Sequence, residues 1–340
     1  MDLGELADGL LAAYKGSAPG ASIGIVKDSC LVLARSYGLA NLSTGEPITT
    51  ATNFRLASLT KAFTAVCVLK LVEEGKLGLE DNLFDLIPGM PDYTKGVTLR
   101  MMLGHISGVP DYDNDVPADY PGQVHEDYIV LKIRAQSEPL FPPGTRFQYS
   151  NTGYVLLAQI VERVSGSTFP AFLRRNVFEP LGMAGSTMYS GERAPIPNRA
   201  YGYVRRDTSY SIEDQSSTSA TLGDGCIYSS VDDMLKWDAA LRACGILGRE
   251  LLEQAFTPGC LSGGGRTEYS FGWFITELRG ARVLHHSGGT AGFKHKLIRV
   301  PERGTAIIIL TNRSGYDLSL PQEANETEDS KKLLEYFELI

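Results

Sequence analysis

The sequence predicts an α/β protein of the α+β sandwich type, in which an antiparallel sheet is built from both ends of the chain and flanked by helices. Short apolar runs of strand length cluster near the two termini. The middle of the chain shows helical periodicity, interrupted by polar and proline-rich loops. Together these two observations favour a terminal sheet with a mainly helical insertion.

The elements at the two ends follow from these runs. We predict helices over residues 2–14 and about 330–340, and strands over 21–26, 31–37, 281–286, 296–300 and 305–311. The last of these strands contains five consecutive apolar residues, Ala306 to Leu310, which is typical of a strand buried on both faces. We expect residues 1–75 and 221–340 to form a sheet domain and 76–220 a mainly helical domain, with an active site in the cleft between them.

Composition and charge exclude several classes of function. The 340 residues carry a net charge of −8, which gives no bulk attraction to nucleic acid or anionic lipid. No run approaches the roughly 20 apolar residues of a membrane span, and the N-terminus lacks a signal-peptide pattern. We therefore expect a cytoplasmic protein; a leader removed earlier would instead indicate a periplasmic or secreted one.

The spacing of cysteines and histidines does not predict a metal or a cofactor. The five cysteines are far apart and form no C-x-x-C pair. A metal hydrolase is the alternative suggested by His285, His286 and His295, but the sequence has no H-E-x-x-H motif. An α/β-hydrolase is also disfavoured, because no G-x-S-x-G occurs.

The first candidate for chemistry is the stretch Ser58-Leu-Thr-Lys61. The residues from Leu59 to Val72 are apolar almost all round, so they predict a buried helix with Ser58 in its first turn. Lys61 then lies on the same face, one turn further on. Loss of hydration favours a neutral amine, which can take a proton from the serine hydroxyl. The alternative is a serine that only caps the helix and a lysine that reaches the surface.

The second candidate is Tyr149-Ser150-Asn151, just before an amphipathic helix. We expect Asn151 to be the N-cap of that helix, which leaves the Tyr149 phenol free to relay a proton. A second triplet, Tyr112-Asp113-Asn114, lies in a predicted loop with no helix behind it and ranks lower. Either triplet alone is compatible with a structural role.

The third candidate is His286-Ser287-Gly288-Gly289, at the end of a predicted strand. Glycines there let a substrate backbone approach closely. The amides of Gly289 and Ser58 can then stabilise an oxyanion, with His286 facing the site as a hydrogen-bond donor or a cation. A histidine of the core or the surface is the alternative for His286.

The order S-x-x-K, Y-x-N and H-x-G resembles the signature of the serine β-lactamase and penicillin-binding-protein superfamily. The tyrosine of the second motif is similar to the branch of class C β-lactamases, D-peptidases and esterases. The flanking sequences resemble that branch too, over about residues 5 to 315. They are Phe54–Lys61, Met102–Asp111, Phe141–Gly144, Pro180–Met183, Gly223–Ser230 and His286–Phe293.

The resemblance implies the β-lactamase and penicillin-binding-protein fold and a role for each motif residue. Ser58 would be acylated, and Lys61 and Tyr149 would share the acid–base work. Asn151 would bind Lys61 or the substrate amide, and His286 would replace the lysine of class C β-lactamases. The backbone around Gly288 and Gly289 would complete the oxyanion site with the Ser58 amide.

The implied function is that of a serine hydrolase of the esterase or D-amino-acid peptidase type, which forms an acyl-enzyme with an ester or amide. Its partner would be a small molecule or short peptide, without metal, cofactor, nucleic acid or membrane. A class C-like β-lactamase or D-Ala-D-Ala carboxypeptidase is one alternative. A non-catalytic penicillin-binding or sensor homologue is another. The sequence leaves the oligomeric state open.

Overall fold

The computed structural model describes residues 2–117, 119–191 and 195–314. The strands are β1 (Ala21–Lys27), β2 (Cys30–Tyr37), β3 (Leu39–Asn41), β4 (Glu46–Pro47), β5 (Phe54–Arg55), β6 (Thr187–Met188), β7 (Tyr203–Arg206), β8 (Ser209–Ile212), β9 (Ile227–Ser229), β10 (Tyr269–Ser270), β11 (Trp273–Leu278), β12 (Ala281–Thr290), β13 (Phe293–Val300) and β14 (Thr305–Thr311). The helices are α1 (Leu3–Leu10), α2 (Thr60–Glu73), α3 (Leu83–Leu86), α4 (Leu99–Leu103), α5 (Glu126–Arg134), α6 (Asn151–Ser165), α7 (Phe169–Leu173), α8 (Val231–Arg242) and α9 (Arg249–Ala255).

The main sheet joins the two ends of the chain, as predicted. Its order is β10-β11-β12-β13-β14-β1-β2, and every neighbouring pair is antiparallel. The pairing of β1 with β14 places Ala21 opposite Thr311. All seven residues of β14 are buried, as its apolar run predicts. The predicted fold class is confirmed.

Several strands were missed or predicted too short. Strand β11 was not predicted, and β12 continues to Thr290 instead of ending at His286. A small sheet of order β5-β9-β6 and the hairpin β7–β8 include strands in the region predicted to be mainly helical. Glycines and two-residue strands give little local signal, because their pairing is imposed by neighbouring strands. The predicted final helix lies outside the described residues, and the predicted division into two domains stays a prediction.

The two faces of the sheet carry separate cores. Helix α1 packs on one face, against alternate residues of the strands such as Ile307 and Ile309. The intervening residues, such as Ile308 and Leu310, face the larger core, which also contains much of α2, α6 and α8. Helix α2 is therefore held against the sheet on one side and against α6 on the other. Within the described residues, no helix is long and apolar enough to span a membrane.

Candidate active site

Ser58 lies in a tight turn between β5 and α2. A short 3-10 turn covers Ala57–Leu59, and Ala57 has a φ of +50°, a left-handed conformation that is strained for a residue with a side chain. His295 fixes the approach to this turn, because its Nε2 lies 2.6 Å from the Arg55 carbonyl oxygen. From Thr52 to Leu69, Ser58 is the one residue that is not fully buried. The turn thus presents a single hydroxyl to the cleft.

Lys61 is completely buried and reaches that hydroxyl. Its Nζ lies 3.1 Å from Ser58 Oγ, 2.7 Å from Asn151 Oδ1 and 3.0 Å from the carbonyl oxygen of Asp224. Asn151 Oδ1 and the Asp224 carbonyl can only accept hydrogen bonds. A neutral amine would donate to these two and direct its lone pair at Ser58. The arrangement therefore suits removal of the serine proton.

Asn151 reaches Lys61 because it does not cap its own helix. The N-cap of α6 is Ser150, whose hydroxyl accepts a hydrogen bond from the Gly153 amide at 3.3 Å. The predicted N-cap, Asn151, was therefore wrong by one residue. Its side chain instead spans the cleft, accepting from Lys61 and donating to Asp113.

Tyr149 lies beside Lys61, but its hydroxyl is not hydrogen-bonded to Ser58 or Lys61 in this structure. Lys61 Nζ is 4.8 Å from the centre of the Tyr149 ring. The hydroxyl is buried and has no hydrogen-bond partner within residues 2–117, 119–191 and 195–314. Behind the tyrosine ring lies His105, with the ring centres 4.2 Å apart. Nδ1 of His105 accepts the Ser150 amide proton at 3.1 Å, which fixes the backbone next to Tyr149.

His286 also faces this cluster, as a neutral group. Its Nδ1 lies 2.7 Å from the Ser287 carbonyl and must donate to it, so Nε2 accepts from the Tyr269 hydroxyl at 3.2 Å. Burial, with a smaller effect of the Lys61 charge, lowers the pKa of His286 to about 3. Of the two roles considered for His286, the hydrogen-bond donor therefore fits neutral pH, and the cation does not.

The glycines of β12 bring this strand against the Ser58 turn. Gly288 pairs with His295 inside the sheet, and a side chain at Gly288 would collide with the Leu56 carbonyl oxygen. Gly289 has more room, since a Cβ there would meet Lys294 Cδ at 3.7 Å. Gly289 and Ser58 line the same cavity, of about 90 Å³.

The cavity contains two charged residues that the sequence analysis did not single out. Arg55 is buried, and its Nη1 lies 2.6 Å from Ser219 Oγ. Asp224 is buried too, and accepts hydrogen bonds from the Tyr112 hydroxyl at 2.7 Å and from Thr221 Oγ1 at 2.8 Å. Burial raises the pKa of Asp224 to about 6, although the Lys61 charge opposes this.

Tyr112 belongs to the triplet that the sequence analysis ranked lower. The segment Tyr112–Asn114 forms a short 3-10 helix at the same cavity, so both Y-x-N triplets face the cleft. The triplet Tyr112-Asp113-Asn114 was therefore the sequence feature that could have predicted this wall of the site.

Cys226 lies outside this wall. It is fully buried among core residues, and burial raises its pKa to about 12. Within the described part of the chain, no group of three or more potential ligands is arranged to hold a metal ion.

Comparison with known proteins identifies the family. A family model described as Beta-lactamase matches residues 5–327, and the chain belongs to this family. Penicillin-binding protein 4* of Bacillus subtilis is 33% identical over 293 residues, which cover 82% of this chain and 64% of that protein. A D-aminopeptidase of Brucella anthropi is 27% identical over 305 residues, covering 89% and 57% of the two chains. This chain thus spans about three fifths of the length of these two relatives.

A solved structure agrees with this assignment. The octameric penicillin-binding protein homologue from Pyrococcus abyssi superimposes with a TM-score of 0.80 at 30% identity, covering 93% of this chain and 74% of that chain. The resemblance inferred from the three motifs is confirmed.

Gly288 and Gly289 provide a matched pair of substitutions. Gly288→Ala should destabilise the protein by about 1–3 kcal/mol, because the new methyl group collides with backbone that cannot move without shifting the Ser58 turn. Gly289→Ala should change stability by less than about 1 kcal/mol. Urea unfolding of both variants measures the difference, and equal values for the two would contradict this account of β12.

The pKa of Asp224 predicts a specific dependence of stability on pH. Because burial raises this pKa from 3.8 to about 6, the folded protein holds a proton that the unfolded chain releases between these values. The contribution of Asp224 to stability is therefore present below pH 4 and is lost as pH rises through 6. The loss is at most about 3 kcal/mol, at about 1.4 kcal/mol per pKa unit.

Asp224→Asn removes this ionisation. The free energy of unfolding of the variant, relative to wild type, should rise between pH 4 and 7, as measured by urea unfolding at several pH values. Asp92→Asn is the control for the same substitution at an exposed site, and its difference from wild type is measured over the same range. A flat difference for Asp224→Asn would show that the carboxyl group is not perturbed as described.

Proposed function

We propose that this chain is a serine hydrolase that forms an acyl-enzyme on Ser58 from an ester or an amide. The observation that carries the proposal is the contact of 3.1 Å between Lys61 Nζ and Ser58 Oγ, with Lys61 buried and its other two contacts made to acceptors. Such a lysine is placed to take the serine proton as Ser58 attacks a carbonyl carbon. Membership of the Beta-lactamase family supports the same chemistry.

In this proposal the reaction has two halves. The Ser58 oxygen bonds to the carbonyl carbon and its proton passes to Lys61, while the amides of Ser58 and Gly289 stabilise the negative oxygen. Lys61 or Tyr149 then protonates the leaving alcohol or amine as its bond to the carbonyl carbon breaks. Water attacks the acyl-enzyme with the same groups acting as base, which releases the acid and restores Ser58. Tyr149 contributes when its hydroxyl, which has no hydrogen-bond partner among the described residues, donates to the leaving group.

The neutral state of His286 bears on the choice of substrate. Class C β-lactamases carry a permanently charged lysine at the matching position, as the motif comparison implies. At neutral pH, His286 offers hydrogen bonding without a charge, because its pKa is lowered to about 3. We therefore propose that esters and aminoacyl amides, which lack a carboxylate, are better substrates than β-lactams, whose carboxylate needs a cation. The name of the D-aminopeptidase relative supports D-aminoacyl amides within this class.

Covalent labelling tests the nucleophile. A fluorophosphonate should add one adduct to the wild-type protein, and mass spectrometry of a digest should place it on the peptide that contains Ser58. Ser58→Ala should abolish the adduct, and Lys61→Ala should slow its formation by roughly two orders of magnitude, the scale of a lost general base. Ser43→Ala serves as the control, because Ser43 is an exposed serine that does not line the Ser58 cavity, and it should label at the wild-type rate. Labelling that survives Ser58→Ala would overturn the assignment.

A substrate panel tests the preference and separates the alternatives. Short esters, D-aminoacyl amides, D-Ala-D-Ala peptides and a chromogenic cephalosporin should be compared by kcat/KM at pH 7. We expect the esters and D-aminoacyl amides, which lack a carboxylate, to be the fastest, and His286→Lys to raise the relative rate on the cephalosporin. A cephalosporin rate equal to that of the best ester would favour the β-lactamase alternative. If compounds of the panel acylate Ser58 stably and none of them is turned over, the result would favour the sensor alternative.

A further inference from the structure

His105, just after helix α4, has a backbone conformation that is unfavourable for a residue with a side chain. Its φ is +57°, in the left-handed region. Its amide donates to the Met102 carbonyl at 3.2 Å, and the Ile106 amide donates to the Met101 carbonyl at 2.9 Å. This pair of hydrogen bonds ends many helices, and the residue at the left-handed position is usually glycine. Contacts of the imidazole, which a glycine could not make, must therefore offset the strain.

The contacts of His105 hold the backbone on both sides of Tyr149. Its carbonyl oxygen accepts a hydrogen bond from the Gln148 amide at 2.8 Å, and its Nδ1 accepts one from the Ser150 amide at 3.1 Å. Its ring lies against the Tyr149 ring, with the ring centres 4.2 Å apart and the planes tilted by 38°. One buried residue thus contacts the residue before Tyr149, the residue after it and the phenol ring itself.

The protonation state of His105 suits the contact with Ser150. Burial, with a smaller effect of the Lys61 charge, lowers the pKa of His105 well below its usual value, so the imidazole is neutral. Because Nδ1 accepts the Ser150 amide proton, the single ring proton is on Nε2. A cationic imidazole would carry a second proton on Nδ1 and would lose this hydrogen bond.

The imidazole is itself held in place by other rings. Its centre lies 5.1 Å from that of the Tyr154 ring and 4.4 Å from that of the Tyr269 ring. Both tyrosines are fully buried, and the Tyr154 hydroxyl donates to the Leu103 carbonyl at 2.9 Å, in the last turn of α4. A ring enclosed in a close-packed core cannot change its orientation without displacing its neighbours. His105 therefore gives Tyr149 a fixed surface to pack against.

We propose that His105 is a positioning residue for the reaction at Ser58, because it determines where the Tyr149 hydroxyl lies when the leaving group departs. This role rests on the proposed function, in which Tyr149 supplies a proton to that group. The Tyr149 hydroxyl has no hydrogen-bond partner within the described part of the chain, so its position depends on how the backbone and the ring are held. His105 contacts both, and it does not line the cavity that contains Ser58. It acts through Tyr149 and touches no reacting atom.

A double-mutant cycle tests whether His105 acts through Tyr149. His105→Gly removes the imidazole and keeps a residue that is well suited to the left-handed turn. It should lower kcat/KM for a short alkyl ester about tenfold or more, because a displacement of about 1 Å in a catalytic group costs up to about a hundredfold. In a Tyr149→Phe background the same change should cost less than about twofold, since the positioned hydroxyl is already absent. Equal fold losses in the two backgrounds would overturn the proposal.

His105→Asn isolates the hydrogen bond to Ser150. Asparagine tolerates the left-handed conformation, and its Oδ1 can accept the Ser150 amide proton in place of Nδ1. Its kcat/KM should exceed that of His105→Gly by at least about threefold, the scale of one neutral hydrogen bond. Equal values for the two variants would contradict the part of the proposal that assigns the positioning to Nδ1.

Cys244→Gly is the matched control for the loss of a side chain in a left-handed turn. Cys244 is the second residue after helix α8, as His105 is after α4, and its φ is +52°. It does not line the cavity that contains Ser58, so its kcat/KM should equal that of the wild type. A loss in this variant as large as that of His105→Gly would show that any such turn affects the rate, and would overturn the proposal.

Fluorophosphonate labelling separates this proposal from the proposed function. Fluoride leaves without needing a proton, so labelling of Ser58 depends on Lys61 and not on the position of the Tyr149 hydroxyl. His105→Gly should therefore label close to the wild-type rate. Labelling slowed as much as ester hydrolysis would mean that the contact between Ser58 and Lys61 is disturbed, which contradicts a role through Tyr149. Labelling that survives Ser58→Ala would instead overturn the proposed function itself.

Discussion

The burial of the Lys61 amine is the constraint on which the site depends. A primary amine with no exposure to water must find hydrogen-bond partners inside the protein, and leaving it without them would be strongly unfavourable. Its three partners come from the Ser58 turn, from the first residue of α6 and from the loop before β9. Segments 90 and 163 residues away in the sequence therefore meet at one nitrogen atom. The same contacts that stabilise the lysine also determine where the serine hydroxyl lies.

The sequence predicted the main sheet and the candidate site because both have strong local patterns. Apolar runs marked β1, β2 and β14, and the spacing from Ser58 to Lys61 is one helical turn whatever surrounds it. Asn151 shows the limit of such patterns. Ser150 and Asn151 are both good N-cap residues, and only the packing of α6 against the cleft determines which of them caps the helix. The strand through Gly288 was cut short for a similar reason, since its pairing depends on β13.

Charges inside the cleft were harder to predict than its nucleophile. The protonation state of His286 depends on how deeply it is buried and on its distance from Lys61, and neither is encoded nearby in the chain. Asp224 contributes its backbone carbonyl to Lys61 and its carboxyl group to Tyr112 and Thr221. Asp224 thus connects the two Y-x-N segments, because it contacts Tyr112 directly and reaches Asn151 through Lys61. Only a folded structure brings these contacts together, because Tyr112 and Asp224 are 112 residues apart.

The pairing of β1 with β14 has a consequence for how the chain folds as it is made. Ala21 pairs with Thr311, so the first strand leaves the ribosome long before its partner exists. At about 5–20 residues per second, that interval is on the order of tens of seconds. During this time, β1 can pair with β2 in a hairpin, but its other edge stays open until β14 is synthesised. The nascent chain therefore carries an apolar strand with one open edge through most of its synthesis, and such an edge can pair with other chains until β14 covers it.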